Sequence, residues 1–241
     1  MNSITPNISS IEVVRGSIYP MLELPAYIYN NRSNILITSD WHIKHKKVFE
    51  TREDENNFRS LYEMDAKIVT AIYDKLKKIK NPILYIIGDY YNVDFFEFLL
   101  HGVKTYIING NHDYFNFDYK KKVIQELNYC EGYSITMIDN SDDSMSPDER
   151  AKISYPLIGS SIIMVHNPVD LKHLTKEQLV FHGHYHNWNG SGKYSGYFKK
   201  GTWLDGNQFI NVSLEHTNFE LLTLEELLNM YKVSFKLKEK N

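Results

Sequence analysis

The sequence predicts a layered α/β (or α+β) domain. Three observations carry that reading. Short, uninterrupted apolar runs end at breakers, as strands covered on both faces do. A long amphipathic stripe lies between the first two runs. The 241 residues, 42% hydrophobic and 24% charged, are enough for one substantial core.

Strands are expected at Asn34–Thr38, Ile83–Ile87, Lys104–Ile108, Ser161–Val165, Leu179–Phe181 and Phe209–Ser213. Between the first two, Leu61, Met64, Ile68, Ile72, Leu76 and Ile79 recur at three- and four-residue steps. This predicts a helix over Phe58–Lys80, with Lys67, Lys75, Lys77 and Lys78 mostly off the stripe. Val93–Leu100 reads as a shorter helix. Thr223, with Glu226 three residues on, resembles a capping box opening a helix over Leu224–Tyr231. The polar, acidic stretch Asn140–Lys152 reads as an exposed loop. Asn187–Gly206 holds five glycines among aromatic residues and Lys193, Lys199 and Lys200. It reads as a glycine-rich hairpin, although the same interleaving could stack bases. With no internal repeat, the chain is taken as one domain, 1–241.

Composition narrows the setting. A net charge of −3 gives no global field for nucleic acid or an anionic membrane. Cys130 is the only cysteine, so no internal disulfide forms and a reducing compartment is expected. No run of apolar residues is long enough for a membrane span. The first thirty residues lack the apolar segment of a signal peptide, and the expected location is cytoplasmic.

The runs deliver chemically capable residues at their ends: Asp40 and His42, Asp89, Asn111 and His112, His166, and His184 and His186. Asp40, His42, Asp89, Asn111, His166, His184 and His186 form a mixed oxygen and imidazole donor set. Such a set suits Mn, Fe, Co, Ni or Zn better than a hard alkaline-earth cation. Seven donors are too many for one tetrahedral site but fit two sites if one carboxylate bridges. Gly88, Gly110 and Gly183 each precede a donor, where a sharp turn or close approach is needed. On an extended segment, His184 and His186 would project to the same side.

In this order, Asp-x-His, Gly-Asp, Gly-Asn-His-Asp, His and Gly-His-x-His resemble the calcineurin-like metallophosphoesterases, over about residues 34–215. A closer likeness is to small bacterial and phage phosphoesterases, whose first motif extends to Asp-x-His-x-x-His. Here that is Asp40, His42 and His45, followed by Arg52 and by a helix containing Met64-Asp65. The resemblance implies a four-layer α/β/β/α sandwich, with an N-terminal extension and a C-terminal helix around the motif-bearing core. It implies two divalent cations, manganese first and iron, zinc, nickel or cobalt also accepted. Asp40, His42 and His186 would hold one, Asn111, His166 and His184 the other, and Asp89 would bridge them. Hydroxide between the cations would attack phosphorus, and His112 would protonate the departing oxygen.

His45 and Arg52 are candidate substrate-binding residues, Arg52 through the planar fork of its guanidinium. Asp113 reads as a structural partner within its turn, and His182 as a packed strand residue. The expected substrate is a phosphomonoester or phosphodiester of a nucleotide or other small phosphorylated molecule, in a bacterial cytoplasm or that of a phage-infected host. A nuclease or RNA-end-processing phosphatase is the first alternative, with nucleic acid not the favoured partner. A protein phosphatase fits less well. That branch continues Gly-Asp with Asp-Arg-Gly and reads Asn-His-Glu, whereas this chain has Tyr90-Tyr91-Asn92 and Asn111-His112-Asp113. A non-catalytic scaffold of the same fold would be expected to have lost ligands, and all seven are present. The sequence leaves the oligomeric state open.

Overall fold

The apolar runs become strands because each finds backbone partners on its edges and a packed layer on its faces. The computed structural model describes residues 21–56, 58–139, 141, 143–157, 160–169, 171, 174–175, 178–186, 202–204 and 207–238. The chain begins β1 (Leu22–Leu24), α1 (Ala26–Asn31), β2 (Ile35–Thr38), α2 (Lys46–Asn56), α3 (Leu61–Lys78), β3 (Ile83–Ile87), α4 (Phe96–Leu99), β4 (Lys104–Ile108), α5 (Phe117–Asn128) and β5 (Ser134–Ile138). It continues α6 (Pro147–Arg150), β6 (Tyr155–Pro156), β7 (Ile162–Val165), β8 (Leu179–His182), β9 (Thr202–Leu204), β10 (Asn207–Asn211), β11 (Leu222–Thr223), α7 (Leu224–Met230) and β12 (Phe235–Leu237).

One sheet has the order β11-β2-β3-β4-β5 and the other β6-β7-β8-β10-β9, with a small β1-β12 pair alongside. In the first, β2 to β5 are parallel and β11 is an antiparallel edge. In the second, β7, β8 and β10 are parallel between antiparallel β6 and β9.

Strand alternation builds the layers. Ile35, Ile37, Ile83, Tyr85 and Ile87 face Ile162, Met164, Leu179, Phe181 and Ile210 in one core between the sheets. Leu36, Leu84, Ile86 and Ile107 point the other way, onto Met64, Ile68, Ile72 and Leu76 of α3 and Ile124 and Leu127 of α5. The outer face of the second sheet carries a smaller cluster of Ile163, Val165, Val180 and Phe209. The mixed α/β sandwich is as expected, with its fourth layer slight among the described residues.

Helix ends follow local chemistry. Ser60 accepts the Glu63 N–H and so starts α3 at Leu61, the first residue of the stripe and three residues after the expected Phe58. Thr223 and Glu226 form the expected capping box of α7. The stretch expected as loop at Asn140–Lys152 instead contains α6, opened by a Ser146–Glu149 capping box with Pro147 just inside. There Ser-Pro is a helix start and not a break.

Parallel strands put their C-terminal ends together. The loops leaving β2, β3 and β4 therefore meet those leaving β7, β8 and β10, and a parallel bridge between Ser39 and Ser213 ties the two sheets at that end.

Candidate metal centre

The loops at this end take backbone conformations that side chains rarely adopt. Asp40, His42, Asp89 and His184 have φ of 58°, 48°, 54° and 69°. Such left-handed geometry persists only where surrounding bonds over-determine it. Asp40 N donates to Gly88 O at 3.0 Å, and His42 N to Asp89 O at 2.9 Å. Asp113, fully buried, accepts the N–H groups of Asp89 at 2.6 Å, Gly110 at 2.8 Å and Tyr91 at 3.0 Å. Its role in the turn is the structural one expected. A Cβ on Gly110 would overlap Asp89 Oδ1, and one on Gly183 would overlap Ser39 Oγ and Asp40 Oδ2. Glycine is required there by close approach.

Two groups of donor atoms converge. Asp40 Oδ1 lies 3.4 Å from His186 Nε2 and 3.6 Å from His42 Nε2. Asp89 Oδ2 lies 3.4 Å from His42 Nε2 and 3.3 Å from His166 Nε2. Asn111 Oδ1 is 3.2 Å from both His166 Nε2 and His184 Nδ1. Asp40, His42 and His186 are one set able to hold a cation, and Asp40, Asp89 and His166 another.

Tautomers show what the ring nitrogens can bind. His166 Nδ1 lies 2.8 Å from Ile87 O, which can only accept, so Nδ1 carries the hydrogen. Protonated, His166 gives its Nε2 hydrogen to Asp89 Oδ2 or Asn111 Oδ1; once neutral, it turns a bare Nε2 toward both oxygens. Likewise His186 Nδ1 donates to Glu215 Oε1 at 2.6 Å, leaving Nε2 bare toward Asp40. Lone pairs facing lone pairs repel unless a proton or a metal cation lies among them.

Electrostatics point the same way. Burial opposes charge on Asp40, yet His186, His42 and His166 outweigh it and hold the carboxyl well below its usual range. Asp89 is lowered in the same sense, against burial, chiefly by His166. Burial pushes His42 down to about 4 and, with His166 adding, His184 down to about 4. Two buried carboxylates call for a paired charge, which protonated His166 supplies without a metal and a cation could supply in its place, with His42 and His184 held neutral and able to ligate. The residues fit a divalent cation.

Sequence-based expectations meet this geometry unevenly. All seven donors and His112 are brought to one end of the sandwich. His45 joins them, its Nε2 lying 3.3 Å from His112 Nδ1. His182 is buried in β8, as expected of a packed strand residue. His184 and His186 do not project side by side from an extended segment. The left-handed turn at His184 sends it to Asn111 and His166, while His186 reaches Asp40. Arg52 also differs from expectation. It is 1% exposed, with Nε on Glu215 at 2.6 Å, a terminal nitrogen on Asp40 O at 2.7 Å and the other on Trp41 O at 3.2 Å. Its planar fork braces the Asp40–His42 loop from within and does not face incoming substrate. Met64-Asp65 supports the same loop: Asp65 accepts the Lys44 N–H at 3.1 Å, and Met64 Sδ lies 3.9 Å from Arg52. Glu215 was not anticipated. Residues 1–20 and 187–201, including Lys193, Lys199 and Lys200, lie outside the described residues.

Comparison with known proteins accords with the site. The chain matches the calcineurin-like phosphoesterases over residues 33–212, and it belongs to that family. The family and the Asp/His clusters together point to divalent-metal binding and to metal-dependent phosphoester hydrolysis in general. No curated protein matches. A similar solved structure is that of AQ665, a protein of unknown function from Aquifex aeolicus, 17% identical over 81% of this chain and 98% of that one, with a TM-score of 0.49. Among the described residues, no helix is long and apolar enough to cross a membrane.

Proposed function

We propose that the protein hydrolyses a phosphomonoester or phosphodiester of a nucleotide or other small phosphorylated molecule, with two divalent cations and with His112 as general acid. The observation that carries this reading is Asp89 Oδ2, which lies within 3.4 Å of both His42 Nε2 and His166 Nε2, one from each donor group. Asp40, His42 and His186 would hold one cation, Asn111, His166 and His184 the other, with Asp89 between. Manganese is the first choice, and the same donors accept iron, zinc, nickel or cobalt. When bound, the cations supply Lewis acidity for the phosphoryl oxygens and lower the pKa of water.

The chain's own residues set the proton inventory. Val48 N–H donates to His45 Nδ1 at 3.2 Å, so in the neutral ring the hydrogen sits on Nε2. His45 Nε2 then meets His112 Nδ1, which leaves the hydrogen of a neutral His112 ring on Nε2. To act as general acid His112 takes up a second proton, on Nδ1 toward His45, and the Nε2 hydrogen is then the one given to the leaving oxygen, which returns the ring to neutral. The His112 N–H also donates to Asp89 Oδ1 at 2.9 Å, which fixes the acid relative to the donor cluster. His45 is thus a positioning residue.

His112→Ala should keep its metal but hydrolyse alkyl phosphate esters about 10²–10⁴-fold more slowly. A p-nitrophenyl ester, whose leaving group needs little protonation, should suffer far less. His45→Ala should show the same leaving-group dependence, and His45→Gln, whose amide can still donate, should recover part of it. Equal losses on both ester classes would remove the proton-donor role.

Metal binding should also release protons. Burial works against charge on His166, but the Asp89 and Asp40 carboxylates outweigh it and raise its pKa to about 10. In metal-free protein at pH 7 that ring is therefore protonated, and a cation must displace the proton. Affinity should rise about tenfold per pH unit for each proton released, up to the His166 pKa. Titration calorimetry with Mn²⁺ in buffers of different ionisation enthalpy reads this directly. Buffer-independent heats would contradict it.

A further inference from the structure

The turn after β3 does more than place Asp89. Tyr91, two residues on, also has a left-handed backbone, at φ 67°, which is a strained position for a large side chain. Asp113 holds it there through the Tyr91 N–H. One product of this turn is the position of the Tyr91 ring. It lies 4.4 Å, centroid to centroid, from the ring of His45, itself 4.9 Å from His112. On another side, the ring of Phe115 lies 6.4 Å from Tyr91 with the two planes only 7° apart. Phe115 is 65% exposed and Tyr119 is 56% exposed. Between them opens a cavity of about 160 Å³, lined also by Asn92 and Asn116. The Asn116 side chain makes no capping hydrogen bond to α5, so its amide is not engaged there.

We infer that this cavity binds the nucleobase of a nucleotide substrate, with Tyr91 and Phe115 as stacking faces, and with Asn116 and the Nδ2 hydrogens of Asn92, whose Oδ1 accepts the Asp94 N–H, addressing the base edge. The inference rests on the phosphoester-hydrolase reading and adds the substrate class. Aromatic faces bind bases through their π surfaces with little regard to sequence, and planar side-chain amides pair with base edges. The cavity is smaller than the roughly 300–1,000 Å³ of a drug-sized site and suits a single ring system. Its place relative to the proton donor selects the ligand. Two ring contacts, Tyr91 to His45 and His45 to His112, connect the Tyr91 wall of the cavity to the proton donor, so an occupant stacked there sits on the leaving-group side, a spacer away from the departing oxygen. An aryl phosphate carries its ring on that oxygen and falls short. A nucleotide interposes a sugar and spans the gap.

Adenosine, ribose and phenol titrated into the protein as purified, with binding followed by ligand-observed NMR, test the assignment without any hydrolysable bond. Adenosine should bind at least about tenfold more tightly than ribose, as expected for one stacked base. Phe115→Ala, a change at an exposed side chain, should bring that ratio close to one. Tyr129→Ala, at an exposed aromatic outside the cavity, should leave it intact. A ratio near one in the parent protein, a ratio that survives Phe115→Ala or falls with Tyr129→Ala, or phenol binding as well as adenosine would each overturn the inference. Comparing kcat/KM for adenosine 5′-monophosphate and a 5′-phosphorylated dinucleotide then shows whether a free nucleotide or a strand end supplies the base, and a Phe115-dependent preference for either supports the cavity. The nucleoside titration involves neither phosphate nor turnover. Its failure would leave the hydrolase reading standing, and absence of hydrolysis would leave a positive titration standing.

Discussion

Asp89→Asn is expected to lower phosphoester hydrolysis by roughly 10²–10³-fold or more and to leave the protein with fewer bound divalent ions than its parent. The substitution keeps the shape of the side chain, and an amide oxygen can still accept the His112 N–H now held by Asp89 Oδ1. What it removes is the negative oxygen that faces both His42 and His166. An amide nitrogen in its place would present hydrogens to lone pairs that otherwise address a cation. Because Asp89 is the proposed shared donor, the loss should affect both sites at once. Parallel measurement of metal content and turnover checks this, and a variant with full metal content and unimpaired turnover would contradict it.

Glu215→Ala should be the most destabilising change near the site. Its side chain is 1% exposed and binds Arg52 Nε at 2.6 Å, with Arg52 equally buried. Against burial, Arg52 and His186 hold the Glu215 carboxyl far below its usual pKa. Removing one partner of such a pair strands the other charge, at a cost of about 3–5 kcal/mol. Chemical denaturation would read that loss. The paired change Arg52→Met with Glu215→Leu should recover much of the stability, since apolar replacements of buried ion pairs are often neutral or better. It should not recover metal affinity. Glu215 fixes the Nδ1 hydrogen of His186, and loss of such a supporting carboxylate typically weakens binding roughly 10–100-fold. Recovery of both properties together would show that Glu215 acts only through folding.

The strands, and the residues gathered at their ends, were readable from sequence because both depend on short-range signals. An apolar run closed by Gly-Asp or Gly-Asn-His is a local pattern, and β3 and β4 fall on their expected residues. Glu215 was missed because its role is long-range: it acts on His186 and Arg52, both distant in the chain. A signal did exist. Asn211, Ser213 and Glu215 alternate with buried Val212 and Leu214, so the polar residues at the end of an expected strand share one side. Arg52 was misread for the opposite reason. Its planar fork suggests a substrate phosphate as its partner, and only the fold shows that α2 turns Arg52 inward beneath Asp40 and Trp41. The His184–His186 expectation assumed extended backbone, which the left-handed turn at His184 replaces. The link from His45 to His112 needed coordinates, because it depends on which ring nitrogen meets the Val48 N–H.

Electron paramagnetic resonance of Mn²⁺-loaded protein, with the metal counted on the same sample, tests the paired-cation claim most directly. The account predicts two ions per chain and a spectrum broadened by coupling between near neighbours, collapsing in Asp89→Asn. One isolated Mn²⁺ signal per chain, or well-folded protein that takes up no metal, would contradict it.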